Sequence, residues 1–341
     1  MTFFEALEWV NWKNLSKELR VQVMNQVLMY FVSPLKYVSD VEAVVFELGG
    51  VKCDTFECKI DGEPFILIPG NEEAILGWNF GTQGLPVSAW DQKCQTTSDY
   101  YLKFTKSYGL ETTEEWDAFV NESTSPLRKV AIPPMLVQKH PVPVGGQRIG
   151  KFNSVTGEFT GIVESFLPIE SSVRKHFTGS ATLEDCFKKM HPMELFEENS
   201  FYARGHMDSD TYEIYTHQNE TFDSLKGQVE ADLFELLDED AWEYVLGAGT
   251  RKLFRWRHYL EQRPKTMQAN MFGLCFSTSN DYWEITDSPF LKLEKMEAVG
   301  LPLFDVLPLA TYYRSRKLRV NEEILSPTDY AYRKAIVIRS P

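Results

Sequence analysis

The sequence predicts an α+β fold of short antiparallel sheets and irregular loops with a helix added at the N-terminus, and three observations carry that reading. Residues 3–31 repeat apolar side chains at helical spacing. From Val41 onward the pattern changes to short β-type runs separated by turn dipeptides, of which Asp61-Gly62 is the clearest. Aromatics make up 13% of the chain, and between 270 and 283 they bracket a polar loop, which is how irregular connections are pinned to a core.

In the first segment Leu15, Leu19, Val23, Val27 and Tyr30 share a helix face, with Asn14 or Ser16 as the cap of its second part. Ser33-Pro34 ends it, because the residue before proline is driven out of helical geometry. A helix this apolar is expected to pack on the domain rather than stand alone. The run 44–48 and the pair 55–60 and 65–68, joined at Asp61-Gly62, read as strands and a hairpin. Between 98 and 124 two short helices are expected. Tyr100, Tyr101, Phe104 and Tyr108 line the first, which Gly109 closes. Thr112 and Glu115 form a capping box on the second, which carries Trp116, Phe119 and Val120. Prolines at 133, 134, 141 and 143 then break the chain into extended segments.

Residues 145–221 are the least readable, with one expected helix at 182–190. His206, Asp208 and Asp210 alternate there. On a strand they would point to one side, as a metal site requires, although an exposed turn has the same composition.

The most specific stretch is 238–284. Asp238 caps a helix with an acidic first turn, whose apolar residues Ala241, Trp242, Val245 and Leu246 share a face and which Gly247 and Gly249 stop. Phe254 and Trp256, flanked by Arg251, Lys252, Arg255 and Arg257, alternate apolar with basic and read as a strand with one wet face.

Charge and cysteine content bound the function. A net charge of −14 argues against nucleic acid or an anionic membrane surface as a partner, since such binding rests on phosphate neutralisation by Lys and Arg. The basic run at 312–319 reads as a solvated strand face. No basic start with an apolar core and no membrane-length apolar run is present. Five cysteines, scattered at 53, 58, 94, 186 and 275, make no disulfide framework, which points to a reducing, cytoplasmic setting.

At Trp242, Glu243, Tyr244, Gly249, Phe254, Trp256, Asn270, Phe272, Gly273, Leu274, Asn280, Trp283 and Glu284 the chain resembles the formylglycine-generating-enzyme and sulfatase-modifying-factor family. Arg257, Ser279 and Ile285 depart from that pattern. The resemblance implies a C-type-lectin-like domain over residues 41–341, with an N-terminal helical extension at 1–40 and an atypical insertion at about 145–225. Oxidising members carry a copper-binding cysteine pair in the C-terminal quarter, because monovalent copper prefers thiolates. Here no cysteine follows Cys275, so formylglycine generation is not expected. A related branch needs histidines one helical turn apart, and the six here show no such pair.

What the resemblance then implies is a non-catalytic module binding a small molecule or a protein, with Arg255, Arg257, Ser277, Asn280 and Asp281 as its recognition surface. Asn280 and Glu284 match residues near the family's calcium sites, and loop oxygens suit that cation, the alternative being that Asn280 only hydrogen-bonds its own loop backbone; no other cofactor is expected. The alternative is a metal-dependent oxidoreductase with a rearranged site, for which Cys275 and His206 are the candidate catalytic residues. Against that stands a buried structural role for the Cys275 thiol.

Overall fold

A computed structural model of the chain describes residues 1–48, 51–85, 105–178, 193–205, 209–255, 269–276, 281–296 and 302–340. They form an α+β structure with several small antiparallel sheets. Two compact units are present: Met1–Pro141 with Lys226–Val320 and Tyr332–Pro341, and Val142–Leu225 with Asn321–Ala331.

In the first unit the expected helix at 3–31 is three helices: α1 (Phe3–Leu7), α2 (Trp9–Trp12) and α3 (Lys17–Phe31). The first break falls at Glu8, whose backbone is extended, and the Trp9 N–H there donates to the Gly70 carbonyl at 2.8 Å. Ser16, not Asn14, caps α3 by accepting from the Leu19 N–H. Asn14 bonds back to the Val10 carbonyl instead. Val23, Met24 and Val27 are buried along α3, whereas Leu19 and Tyr30 of the expected face are exposed. Trp12 is buried as well, its indole N–H donating to the Asp54 carbonyl at 2.7 Å and its ring edge-on to Phe56.

Strands β1 (Val38–Leu48), β2 (Val51–Ile60) and β3 (Glu63–Ile68) form a meander. Both residues of the turn between β2 and β3 are left-handed, Asp61 at φ 52° and Gly62 at φ 84°, the geometry for which an Asp-Gly pair is selected. Next come β4 (Asn71–Leu76), α4 (Thr113–Glu122), β5 (Arg128–Ile132) and β6 (Met135–Gln138). Thr112 and Glu115 make the expected capping box on α4, which buries Trp116, Phe119 and Val120. Of the helix expected before it, 105–108 are helical and Gly109 closes it at φ 63°; the residues ahead of 105 lie outside the described chain.

In the second unit, β7 (Val142–Pro143) is followed by β8 (Gln147–Asn153), β9 (Phe159–Gly161), α5 (Val163–Phe166), α6 (Glu170–Thr178), β10 (Glu194–Glu197), β11 (Phe201–Gly205) and β12 (Thr211–Thr216). Five of these strands pair antiparallel in the order β10-β11-β12-β8-β9. Alternation sends Ile149, Phe152, Phe201, Ala203, Tyr212 and Ile214 into a core with Phe166 and Val173 of the two helices. Gly150 and Gly161 face each other across β8 and β9; a Cβ on either would sit within 2.3 Å of a backbone oxygen of the other strand pair. The stretch expected as an insertion thus carries a sheet and a core of its own.

The chain continues through α7 (Phe222–Ala231), β13 (Glu235–Leu236), α8 (Glu239–Gly247), β14 (Trp283–Ile285), α9 (Pro302–Val306), β15 (Tyr330–Tyr332) and β16 (Lys334–Val337). In the first unit a six-stranded sheet runs β1-β2-β3-β6-β16-β13. Ile66, Ile68, Met135 and Val137 of that sheet share a core with Trp242, Val245 and Leu246 of α8 and with Phe272 and Phe276.

Two expectations are corrected. Phe254 and Arg255 are both buried outside any strand, so the alternation read there does not give a wet face. Residues 312–316 form no strand; Tyr312 and Tyr313 are buried, Arg314 pairs with Glu239, and the Arg316 guanidinium lies 4.6 Å over the Tyr108 ring. The helix expected at 182–190 lies outside the described residues. Among the described residues no helix is long and apolar enough to cross a membrane.

Candidate functional site

The first unit concentrates its buried charge around α8. Asp238 caps the helix, its carboxylate accepting from the Ala241 N–H at 2.7 Å. The acidic first turn follows dipole preference, and each of its carboxylates meets a cation. Lys292 Nζ lies 2.6 Å from Glu239 and 2.7 Å from Glu243, with a third bond to the Tyr313 carbonyl at 3.1 Å. Arg314 holds Glu239 through two bonds of 2.8 and 2.7 Å. Arg128 joins Asp240 to Glu243, whose second oxygen also accepts from Ser125 at 2.9 Å. The side chains of Glu243 and Lys292 are both 0% exposed. Three carboxylates face three cations, so the cluster is neutral within itself. Burial pushes the Glu239 carboxyl up, but the Arg314 hydrogen bonds and the Lys292 charge outweigh it and bring it down to about 2.

A second knot ties the loop after Asn270 to the sheet. Arg333, 1% exposed, donates to Glu284 at 2.5 and 3.3 Å and to the carbonyls of Cys275, Gln138 and Lys139 at 3.1 to 3.3 Å. Its guanidinium lies 4.1 Å from the centre of the Phe276 ring. Arg255, also buried, donates to the Phe276 carbonyl at 2.9 Å, and burial lowers its guanidinium to about 10.

Asn270 closes the turn itself. Its amide N donates to the Val245 and Leu246 carbonyls at the end of α8, and its amide oxygen accepts from the Phe272 and Leu274 N–H groups. Gly273 follows at φ 84°, with Phe46 so close that a Cβ would sit 2.2 Å from its ring. The left-handed positions after α8 are taken by Ala248 and Gly249, while Gly247 ends the helix against Thr311.

Of the residues expected at a site, Arg255, Cys275, Asp281 and Glu284 are described, whereas His206, Arg257, Ser277 and Asn280 lie outside the described residues. Arg255, Cys275 and Glu284 are brought together, but inward. The Cys275 thiol is buried while its backbone bonds to Lys139 and Arg333, and Glu284 answers Arg333, so that carboxylate is engaged by a guanidinium. Asp281 is exposed. A depression of about 240 Å³ lies beside Arg255, lined also by Lys252, Thr250, Asn270, Met271 and Gly247. Among the described residues no group of three or more His, Cys, Asp or Glu side chains is placed to hold a metal ion.

Lys292 and Arg333, which organise both clusters, were not singled out by the sequence reading. Lys292 carried a signal, since it sits between two leucines and a cation flanked by apolar residues is seldom buried unless paired; Arg333, followed directly by Lys334, carried none.

The exterior differs. Met29, Tyr30, Leu35 and Tyr37 are exposed by 64 to 85% at the end of α3 and the approach to β1. Strand β1 then forms one edge of the six-stranded sheet, with Val41 and Val45 exposed.

Residues 147–216 match the sequence profile of a profilin-like domain of unknown function (DUF7278). The matched span runs from the first residue of β8 to the last of β12. No curated protein matches the chain. The profilin-like match overturns the expected membership of the formylglycine-generating-enzyme family, and the lectin-type scaffold loses the family on which it rested. The residues behind that resemblance have local work that is not tied to one family: Glu243 anchors an ion cluster, and Asn270 closes its own turn while capping carbonyls of α8.

Proposed function

We propose that the chain is a non-catalytic binding module that engages a protein partner through its surface rather than chemistry through its interior. The observation that carries this reading is the contrast between a charge-matched interior and an exposed apolar exterior. In the first unit the buried ionisable side chains Glu243, Lys292, Glu284 and Arg333 are locked into fixed pairs. The thiols of Cys53 and Cys58 are pushed up to about 12 by burial, so neither is a thiolate at neutral pH. Four large apolar side chains, Met29, Tyr30, Leu35 and Tyr37, are meanwhile left to water within nine residues of chain. Large apolar side chains left exposed so close together in the chain are the kind of surface that a partner covers.

The test is affinity capture from the source organism with the full chain and with a variant carrying Tyr30→Ser, Leu35→Ser and Tyr37→Ser. A partner held by the first and lost by the second is the expected result. Stoichiometric copper or iron in the purified protein, measured by elemental analysis, would overturn the reading in favour of redox chemistry.

A further inference from the structure

We infer that the outer edge of β1 is a docking site for a basic, extended segment of another protein, which adds to the six-stranded sheet as a seventh strand. This deepens the binding-module reading and rests on it. Strand β1 is 11 residues long and pairs on one side with β2. Among the described residues no strand follows it on its other side, and no backbone hydrogen bond to the stretch 42–47 comes from anything but β2. A pleated strand turns the N–H and C=O of every second residue outward, so this edge offers a row of donors and acceptors that an extended chain can satisfy. The other described sheet edges in the two larger sheets are short: β13 has 2 residues, β9 has 3 and β10 has 4.

Charge decides the occupant. Strands β1 and β2 together carry five carboxylates, Asp40, Glu42, Glu47, Asp54 and Glu57, against Lys52 and Lys59, while Arg20 and Lys139 from outside the pair meet Asp54 at 3.3 Å and Glu57 at 2.7 Å. Lys59 holds Asp40 at 2.6 Å. Lys52 stands opposite Glu47 in the register yet its nearest carboxylate is Asp54, at 3.9 Å. Glu42 and Glu47 are exposed and make no ion pair among the described residues. A second copy would bring the same carboxylates and a net charge of −14 to the seam, and like charges across a strand pair repel. A segment with lysine or arginine five residues apart, spaced as Glu42 and Glu47 are, with β-branched residues between to lie against Val44 and Val45, meets both the backbone row and the charge.

The probe is a fluorescent eight-residue peptide of alternating threonine and valine with lysines at its second and seventh positions, titrated against the full chain by anisotropy at physiological salt. Hydrogen exchange then locates it. The expected result is saturable binding with slowed exchange confined to β1, at least tenfold weaker for the variant carrying Glu42→Lys and Glu47→Lys, which instead takes the glutamate version of the peptide. Binding that slows exchange elsewhere, equal binding of both peptides by the wild-type chain, no binding, or a wild-type dimer in sedimentation that protects β1 would each overturn the proposal. A failed peptide together with a partner still lost on Tyr30, Leu35 and Tyr37 substitution sinks strand addition alone, leaving the binding-module reading in place.

Discussion

The surroundings of α8 and the free edge of β1 belong to the same unit and treat polar groups in opposite ways. Around α8 each of the charged side chains Glu239, Asp240, Glu243, Arg128, Lys292 and Arg314 has a counter-charge within 3.0 Å. Along β1 the backbone ladder is filled on one side, and Glu42 and Glu47 face water. The contrast follows from dielectric. An unmatched charge inside costs several kcal/mol, while an unmatched group at the surface is solvated and costs almost nothing until a partner arrives. Charge inside this unit therefore reports on stability, and the unpaired groups outside are the ones open to recognition.

The sharpest way to break that division is to remove Arg333. An Arg333→Leu substitution strands Glu284, whose side chain is 0% exposed, and leaves the carbonyls of Cys275, Gln138 and Lys139 without that donor. Denaturant unfolding should show a loss of about 3–5 kcal/mol, the usual consequence of uncovering one half of a buried pair. Adding Glu284→Leu to the same chain should recover part of it. If the single variant loses under 1 kcal/mol, the knot is not holding the loop.

Acid probes the α8 cluster next. The Glu239 carboxyl is lowered from 4.5 to about 2 in the folded chain, so between those values the unfolded chain binds the extra proton. Its contribution is complete above about pH 4.5 and is lost as pH falls through about 2, an integrated effect of about 3 kcal/mol at one proton and 1.36 kcal/mol per pKa unit. Stability measured from pH 5 to pH 2 should fall less steeply in a Glu239→Gln variant, by that increment.

Asn270→Ala comes third, at roughly 2 kcal/mol, because it leaves two α8 carbonyls and two turn N–H groups without their side-chain partner. Gly62→Ala should cost about 1 kcal/mol, since φ is 84° there and a Cβ is strained in that region. Both are read from thermal or denaturant midpoints.

These residues also mark where the sequence was legible. Local chemistry was: Asp61-Gly62 gave the hairpin, Thr112 with Glu115 gave the cap of α4, and Asp238 gave the start of α8, because each signal is complete within four residues. The N-terminal segment was read as helix but not as three, since the break at Glu8 is made by Gly70, far along the chain. Arg255 was misread for the same reason. Its alternation with Phe254 looked like a wet face, but the Phe276 carbonyl 21 residues away draws it inside. The family resemblance failed differently: Glu243 and Asn270 were matched to a family pattern, and in the structure their work is ion pairing and turn closure. Pairing partners such as Lys292 and Arg333 are set by tertiary neighbours, and no local rule names the neighbour.

The smallest expected effect sharpens the comparison from the other side. Replacing Glu42 and Glu47 together by lysine changes the local charge by four units yet touches no ion pair among the described residues. Exposed positions of this kind move stability by less than about 0.5 kcal/mol, and here the two changes oppose each other: a lysine at 42 stands opposite Glu57, whereas a lysine at 47 stands opposite Lys52. An unfolding midpoint within error of wild type is therefore the expected result. A large loss would mean that these carboxylates hold the fold as Glu243 does. The distinction between an interior whose charges are matched and an edge whose charges await a partner would then fail at the place where the recognition proposal depends on it.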